Sequence, residues 1–178
     1  MAVAIRLAGR EDLAFLRALM ARAIGELQSS FLTPEQIVAS ADVMGLDTQL
    51  IADGTYFVAE IDGRAAGCGG WSRRATLFGG DHSAPLRDPR LLDPAREPAR
   101  VRAMYTDPDF VRRGVGRAIL AHCEGEARAA GFGNAEMMAT LAGEPLYRAC
   151  GYRPIEPVSV VTASGVAVPM MRMGKALL

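Results

Sequence analysis

Three arginines and two glycines lie within one short stretch, Val111-Arg112-Arg113-Gly114-Val115-Gly116-Arg117. Apolar residues then recur at helical spacing, so the glycines precede the N-terminus of a predicted helix. The first N–H groups of a helix have no partner inside it, and they carry about half a positive charge. Glycine lets the backbone approach a ligand closely. These features together predict a loop that binds an anion, and a pyrophosphate suits it best.

Two common phosphate-binding motifs do not fit this loop. A dinucleotide-binding fingerprint needs a third glycine at the position where this chain has Ile119. A P-loop needs Gly-Lys-Ser/Thr, and the stretch contains no lysine. These residues therefore argue against an NAD(P)-dependent enzyme and against a P-loop nucleotide-binding protein.

The stretch resembles the acyl-CoA loop of the GCN5-related N-acetyltransferases (GNATs), whose signature is Arg/Gln-x-x-Gly-x-Gly/Ala. Gly114 and Gly116 match the two glycine positions, and Val111 stands where the family has Arg or Gln. Further along, Leu146-Tyr147-Arg148-Ala149-Cys150-Gly151-Tyr152 resembles the second motif of the family, Leu/Phe-Tyr-x-x-x-Gly-Phe/Tyr. The resemblance therefore rests on two motifs in the second half of the chain.

The resemblance implies an α/β (α+β) fold in which a mixed, mostly antiparallel twisted sheet is splayed between strands 4 and 5 and flanked by about four helices. It implies a single N-acetyltransferase domain over residues 1–178, with acetyl-CoA as co-substrate in the cleft between the splayed strands. Backbone groups of Met104, Tyr105 and Thr106 are then expected to meet the pantetheine and the thioester. Thr140 stands where many members have an Asn that contacts the cofactor arm. The backbone amides expected to hold the pyrophosphate are those of Val111, Arg112, Arg113, Gly114, Val115, Gly116 and Arg117.

Acetylation of an amine by a thioester sets three chemical requirements. The amine must be neutral to attack, although a free alkyl amine has a pKa of about 10.4. A fixed backbone N–H on the strand that holds Met104 and Thr106 would stabilise the oxyanion. The departing thiolate needs a proton, and the family places this catalytic acid at the position of Tyr147. Glu136 is a candidate general base; water, or an amine that is already partly neutral, is the alternative.

We therefore expect an enzyme that moves an acetyl group from acetyl-CoA to a primary amine of a small molecule by direct transfer in a ternary complex. A protein or peptide N-terminal acetyltransferase and a non-catalytic acyl-CoA-binding sensor remain alternatives. Residues 1–62 carry nine acidic residues against four arginines. That excess suits a polyamine or an aminoglycoside-like amine, or else it is a solvated acidic surface. The resemblance leaves a homodimer open.

The composition argues against several other classes of protein. The chain has no apolar run of about 18 residues, and residues 1–10 have no secretion signal, so we expect a cytoplasmic protein with no membrane partner. There is no basic patch interleaved with aromatic residues, so no nucleic-acid partner is expected. Cys68, Cys123 and Cys150 lack the spacing of metal ligands. We interpret them as reduced core residues and expect no metal site.

Hydrophobic patterning predicts the elements that position these residues. Strands are predicted at 3–7, 55–61, 64–73, 100–106, 135–141, 158–162 and 166–173, and helices at 11–27, from 34 onward, at 115–130 and at 144–150. The 25-residue segment 75–99 is predicted as an irregular loop, of a length that is often functional. Within it, Asp81 and His82 either gate the substrate or lie on a plain surface. Trp71 either lines an acceptor pocket or packs in the core.

Overall fold

The structure, a computed structural model, describes residues 2–177. Within this range the strands are β1 (Ala4–Leu7), β2 (Tyr56–Ile61), β3 (Arg64–Ser72), β4 (Ala99–Thr106), β5 (Asn134–Thr140), β6 (Arg153–Val161) and β7 (Ala167–Ala176). The α-helices are α1 (Leu13–Leu27), α2 (Pro34–Ser40), α3 (Thr48–Ala52), α4 (Val115–Ala129) and α5 (Glu144–Ala149). Each predicted strand and helix has a counterpart, and the one-turn helix α3 is an addition that hydrophobic periodicity did not indicate.

The strands form one sheet in the order β1-β2-β3-β4-β5-β7-β6. Neighbouring strands are antiparallel except β4 and β5, which are parallel. These two strands pair only at Ala99 with Ala135 and at Arg100 with Glu136, and they separate beyond those residues. The expected mixed, mostly antiparallel sheet, splayed between its fourth and fifth strands, is therefore confirmed.

Helix α4 packs closely against β3 because β3 is rich in glycine. A Cβ atom at Gly67 would lie 2.6 Å from Cγ1 of Val115, and one at Gly69 would lie 2.9 Å from Cγ2 of Ile119. Glycine in a strand often marks such a close approach. The packing fixes the first turns of α4 beside the end of β4, where the predicted anion loop joins the two elements.

The opposite face of the sheet is covered by α1 and α2. Leu16, Leu19 and Met20 of α1 share a buried cluster with residues of β2 and β3. Helix α2 begins with the predicted capping box: the Gln36 N–H donates to Thr33 Oγ1 at 3.2 Å, and the Thr33 N–H donates to Gln36 Oε1 at 3.0 Å. Residues 43–45, which follow α2, form one wall of the cleft.

The final hairpin is longer than the sequence pattern indicated. β6 begins at Arg153 rather than near residue 158, and it contains Pro154 and Pro157. Because β6 is the edge strand of the sheet, a missing proline N–H facing outward breaks no ladder on that side. Proline is unfavourable in most strands, so the sequence pattern did not indicate a strand at these residues.

Segment 75–98 has little regular structure but is held by hydrogen bonds across its base. Arg74 bridges to Leu91, and the Thr76 N–H donates to the Asp88 carbonyl oxygen at 2.9 Å. Thr76 Oγ1 also accepts from the Asp88 N–H at 2.9 Å. The segment is therefore a fixed strap that folds back on itself before β4 begins.

Candidate active site

A cavity of about 100 Å³ lies in the cleft where β4 and β5 separate. It is bounded by both strands, by α5, by the segment that follows α2 and by the strap. The lining residues are 43–45, 77–79, 101–105, Met137, Met138, Thr140, Gly143, Tyr147 and Met170. The structure thus brings Met104, Tyr105, Thr140 and Tyr147, which sequence patterns nominated separately, around one space.

Strand β4 has a β-bulge at this cavity. Gly69 of β3 faces two residues of β4, Ala103 and Met104, whereas the flanking residues pair one to one. Ala103 has φ +49°, in the left-handed region that residues other than glycine adopt infrequently. A bulge takes backbone groups out of the ladder. The bulge therefore provides backbone groups of β4 that can face a ligand in the cleft.

Tyr56 of β2 supports the bulge from within the core. Its hydroxyl donates a 2.8 Å hydrogen bond to the carbonyl oxygen of Ala103, and its side chain is fully buried. Burial raises the pKa of Tyr56 well above its ordinary value, so the hydroxyl remains a donor. Sequence patterns assigned no role to Tyr56, because a bulge and its support leave no signal in the residues around them.

The predicted anion loop connects β4 to α4. Gly114 is the N-cap of α4 and has φ +81°, which glycine adopts without the strain that a Cβ would cause. Residues 111–114 are exposed. The 15-residue helix α4 therefore begins at the surface, where its unpaired N–H groups can meet a ligand. The anion-binding hypothesis requires this position.

Arg112, Arg113 and Arg117 surround this loop and are exposed. None of them forms an ion pair with a residue in the 2–177 range, and the Arg113 guanidinium lies 5.4 Å from the centre of the Phe110 ring. The nearby carboxylate of Asp107 instead accepts a 3.0 Å hydrogen bond from Arg22. Three positive charges thus remain available to an anionic ligand at this helix start.

Gly116 brings the two motifs into contact. A Cβ atom at this position would lie 2.6 Å from Cδ2 of Leu146 and 3.8 Å from Oγ1 of Thr106. The glycine therefore lets the first turn of α4, the end of β4 and the second motif on α5 approach one another. This packing places the anion loop and Tyr147 at fixed positions in one structure.

Tyr147 lies on α5 with its ring at the cavity. Its side chain is 8% exposed, and its ring meets that of Tyr152 edge-on at 6.2 Å. The hydroxyl has no hydrogen-bond partner among the described residues. Burial raises the pKa of Tyr147 above its ordinary value of about 10, so the hydroxyl is protonated at neutral pH. It can donate its proton to an atom placed in the cavity.

Thr140 lies at the end of β5 and also lines the cavity. Its Oγ1 accepts a 3.0 Å hydrogen bond from the Gly143 N–H at the turn into α5. A hydroxyl that accepts one hydrogen bond still has a proton to donate. Thr140 therefore combines a structural contact with a free donor at the place where the resemblance implies a contact with the cofactor arm.

Tyr105 connects β4 to the segment after α2. Its hydroxyl accepts a 2.9 Å hydrogen bond from the Gly45 N–H. Burial raises the pKa of Tyr105 above its ordinary value, so this side chain is also neutral. The side chain thus fixes one wall of the cavity, while its backbone lies on the strand expected to meet the thioester arm.

Arg102 holds the strap against the cavity, a contact that sequence patterns did not reveal. Its side chain is 2% exposed and donates to Asp47 Oδ2 at 2.9 Å and to the carbonyl oxygens of Thr76 and Gly79 at 3.2 and 2.7 Å. Asp47 Oδ1 accepts from Arg87 at 2.8 Å. Because every charge here is paired, the network is structural, and it fixes the strap residues that cover the cavity.

Glu136, the candidate general base, is held in a different place. It is absent from the cavity lining, and its Oε2 accepts from Arg100 at 3.0 Å and from Arg172 at 2.6 Å. The two arginines thus hold the carboxylate outside the cavity and occupy its Oε2. The structure therefore argues against Glu136 as the base and leaves water or a partly neutral amine.

The structure also shows where Trp71 and the strap residues Asp81 and His82 lie. Trp71 is buried in the core with its ring centre 6.0 Å from that of Phe132, and it does not line the cavity. Asp81 and His82 lie instead at the rim of a second, larger groove between α1 and α2. The core interpretation of Trp71 fits this placement.

The three cysteines are reduced, and none lines the cavity. Burial raises the pKa of the Cys68 thiol to about 12, so it is not a ready nucleophile. Among residues 2–177, no cluster of three or more His, Cys, Asp or Glu side chains is placed to hold a metal ion. No helix in that range is long and apolar enough to cross a lipid bilayer.

Solved structures with the same fold include several acetyltransferases. A GCN5-related N-acetyltransferase from Rhodopseudomonas palustris is 21% identical with a TM-score of 0.73, and the alignment covers 99% of this chain and 96% of that chain. PaiA N-acetyltransferase from Thermoplasma acidophilum, in complex with coenzyme A, is 14% identical with a TM-score of 0.63 and 99% coverage of both chains. YncA from Salmonella typhimurium, with its cofactor acetyl-CoA, is 17% identical with a TM-score of 0.65, covering 100% of this chain and 95% of that one.

At these identities the structural similarity establishes the fold. No curated protein sequence matches this chain. The family-level match comes from residues 52–154, which fit the Acetyltransferase (GNAT) domain. That segment is more than half of the chain and contains the bulge, the anion loop and Tyr147. The chain therefore belongs to the GNAT family of acetyltransferases.

Proposed function

We propose that this enzyme transfers an acetyl group from acetyl-CoA directly to a primary amine of a small molecule. One observation carries the proposal: Tyr147 and the bulged strand around Met104 line the same cavity. An acid and a set of backbone dipoles thus meet at one point, as acyl transfer from a thioester requires.

The donor is proposed to lie along the cleft with its pyrophosphate at the start of α4. The backbone N–H groups of 111–117, together with the exposed side chains of Arg112, Arg113 and Arg117, supply the positive potential. Because the glycine backbone provides this site, Val111 in place of Arg or Gln removes one side-chain contact and keeps the N–H groups. The cleft beyond Arg100 and Glu136 then directs the thioester arm toward the cavity.

Met104 and Tyr105 are proposed to align the thioester carbonyl through their backbone groups, with a strand N–H stabilising the oxyanion. Thr140 is proposed to donate its free hydroxyl proton to the cofactor arm. Tyr147 is proposed to protonate the departing thiolate, whose conjugate thiol has a pKa near the value of about 8.5 for cysteine. A tyrosine whose pKa is raised above its ordinary value is fully protonated when that step occurs.

Transfer is proposed to be direct, because no cysteine, serine or lysine is among the described residues that line the cavity. The amine loses its proton to water or arrives already neutral, since Glu136 is occupied by two arginines. By either route, the rate should be highest where the amine is deprotonated.

Two measurements on the same preparation test this proposal. Acetyl-CoA at about 100 times its dissociation constant should stabilise the fold by about 2.7 kcal/mol, which a thermal melt detects. Release of free thiol in the presence of primary amines should then follow amine concentration. A melting shift without thiol release from any small amine would favour the acyl-CoA sensor or a peptide acceptor, and a panel of peptide N-termini separates these two.

A further inference from the structure

The side chains that line the cavity are largely apolar. Besides Tyr105, Thr140 and Tyr147, they are mostly methionine and other hydrophobic residues, and Arg102, the one charged residue among the described lining residues, is fully paired. The methionines that line it are Met44, Met104, Met137, Met138 and Met170. Methionine is unbranched and adapts its shape to different apolar partners.

A second groove, of about 670 Å³, lies between α1 and α2. Met44 and Gly45 line both the groove and the cavity. Its walls include Met20 and Ile24 of α1 and Val38 of α2, and Val38 is 77% exposed. A broad, largely apolar groove thus adjoins the cavity and is open at the surface of the molecule.

The groove lining carries few charged residues. Asp81 Oδ1 already accepts from the N–H and the hydroxyl of Thr48, at 2.9 and 3.0 Å, and lies 3.9 Å from Arg87. Arg17 on the wall is itself positive. The His82 ring nitrogen is bonded to the Ala41 carbonyl oxygen. Oδ2 of Asp81 accepts no hydrogen bond from the described residues, but the walls that α1 and α2 contribute to the groove carry no carboxylate. A cationic substituent against those walls would lose its water without gaining a carboxylate partner.

The acidic excess of residues 1–62 does not change this conclusion, because several of these acidic residues form ion pairs with arginines of the same chain. Asp12 and Glu60 pair with Arg6, and Asp53 pairs with Arg74. Asp47 pairs with Arg102 within the network under the strap. Among the residues described, Asp81 is the only carboxylate on either lining.

We propose that the acceptor is a primary amine carrying an apolar alkyl or aryl substituent, which lies in the groove between α1 and α2, rather than a polyamine. The inference rests on the proposed transfer of acetyl groups to small amines. The amine nitrogen reaches the cavity beside Met44 and Gly45, and the uncharged remainder is covered by the groove. Burial of each added methylene should raise kcat/KM by about three- to fourfold until the groove is filled.

A matched pair of amines tests the proposal. Hexylamine and 1,6-diaminohexane have the same chain and differ by one distal ammonium group. With acetyl-CoA as donor and thiol release as the readout, hexylamine should have a kcat/KM about tenfold higher or more, because the diamine must bury an unpaired charge. Equal values, or a preference for the diamine, would overturn the apolar acceptor while leaving the proposed acetyl transfer intact.

Two variants test whether the groove causes the preference for hexylamine over 1,6-diaminohexane. Val38→Glu gives the distal ammonium a partner and should reduce the preference for hexylamine severalfold. Val161→Glu, at a similarly exposed valine of β6 (69%) outside both linings, should leave the ratio unchanged. If both variants change the ratio equally, the groove is not the site. If no amine releases thiol, the proposed function itself fails, and if only peptide N-termini react, the small apolar amine is overturned.

Discussion

Arg100 and Glu136 form the last paired residues of β4 and β5, and their side chains are joined by a 3.0 Å ion pair. The strands separate immediately after this pair, and the cavity begins there. Both side chains are largely buried, with 13% and 16% of their surface exposed. Arg172 of β7 donates to the same carboxylate at 2.6 Å. One carboxylate thus ties together three strands at the point where the cleft opens.

Glu136→Gln should therefore act on stability rather than on chemistry. Removing one partner of a largely buried ion pair leaves arginine charges without compensation, and we expect a loss of about 2–4 kcal/mol in the free energy of unfolding. The pH dependence of kcat should keep its shape. Glu156→Gln is the matched control: Glu156 contacts Arg172 at 3.3 Å but is 55% exposed, so its loss should cost under about 0.5 kcal/mol. A large fall in kcat at unchanged stability would restore Glu136 as the base.

Tyr147→Phe should lower kcat by about 100-fold or more, because proton donation to the leaving thiolate is lost. The affinity for acetyl-CoA should change by less than about twofold, since the ring and its packing remain. Tyr152→Phe is the control for the same chemical change, because the Tyr152 hydroxyl is buried with no hydrogen-bond partner in the described part of the chain. Similar turnover by the Tyr147 variant and the control would remove Tyr147 from the acid role.

We expect kcat/KM for the amine to rise with pH and to show no decrease below about pH 10. The attacking amine becomes neutral as pH approaches about 10.4, so kcat/KM for the amine increases through this range. Burial raises the pKa of Tyr147, and a raised pKa keeps the acid protonated until pH exceeds its ordinary value of about 10. The stability of the fold should depend on pH in the same direction. Burial also raises the pKa of Tyr56 and Tyr105, so the stabilisation that these side chains provide is lost only as pH rises above about 10. Melting curves at each pH would separate unfolding from titration, and a falling limb centred below about pH 9 would contradict this assignment.

Gly114→Ala should weaken acetyl-CoA binding more than it harms the fold. The position has φ +81° and open space where a Cβ would lie, so the cost is conformational strain of about 1–2 kcal/mol rather than a clash. The loop then relaxes, and the helix N–H groups lose their alignment on the pyrophosphate. Gly125→Ala, in the middle of α4 with equally open space, should instead stabilise the protein by about 0.5–1 kcal/mol and leave binding unchanged. Isothermal titration with acetyl-CoA compares the two, and equal affinities would refute the loop assignment.

Sequence patterns predicted the parts of the site that depend on neighbours along the chain. Gly114 and Gly116 lie within one loop, and Tyr147 lies within one seven-residue motif, so residue type and spacing suffice to nominate them. The splay followed from the family resemblance. The exact ends of β6 and the presence of α3 could not be predicted in this way, because an edge strand that contains prolines and a helix of one turn have weak periodic signals.

The supporting contacts could not be predicted, because they join residues far apart in the chain. Tyr56 meets Ala103 across 47 positions, and Arg102 meets Asp47 across 55. Neither residue type nor local spacing specifies such a partner. The bulge could not be predicted from the sequence either. Nothing in the residue type of Ala103 indicates its left-handed conformation, which arises from the register of β3 against β4.

Tyr56→Phe tests whether that support matters to catalysis. The change leaves the buried ring in place and removes the 2.8 Å hydrogen bond to the Ala103 carbonyl, which should cost about 1–3 kcal/mol because a buried acceptor loses its donor. If the bulge positions the thioester, kcat should fall severalfold while KM for acetyl-CoA stays constant, since the anion loop is unaffected. A structural role alone would lower the melting temperature without changing kcat of the folded enzyme. Tyr152→Phe again provides the matched control, because its hydroxyl has no described partner to lose and neither quantity should fall.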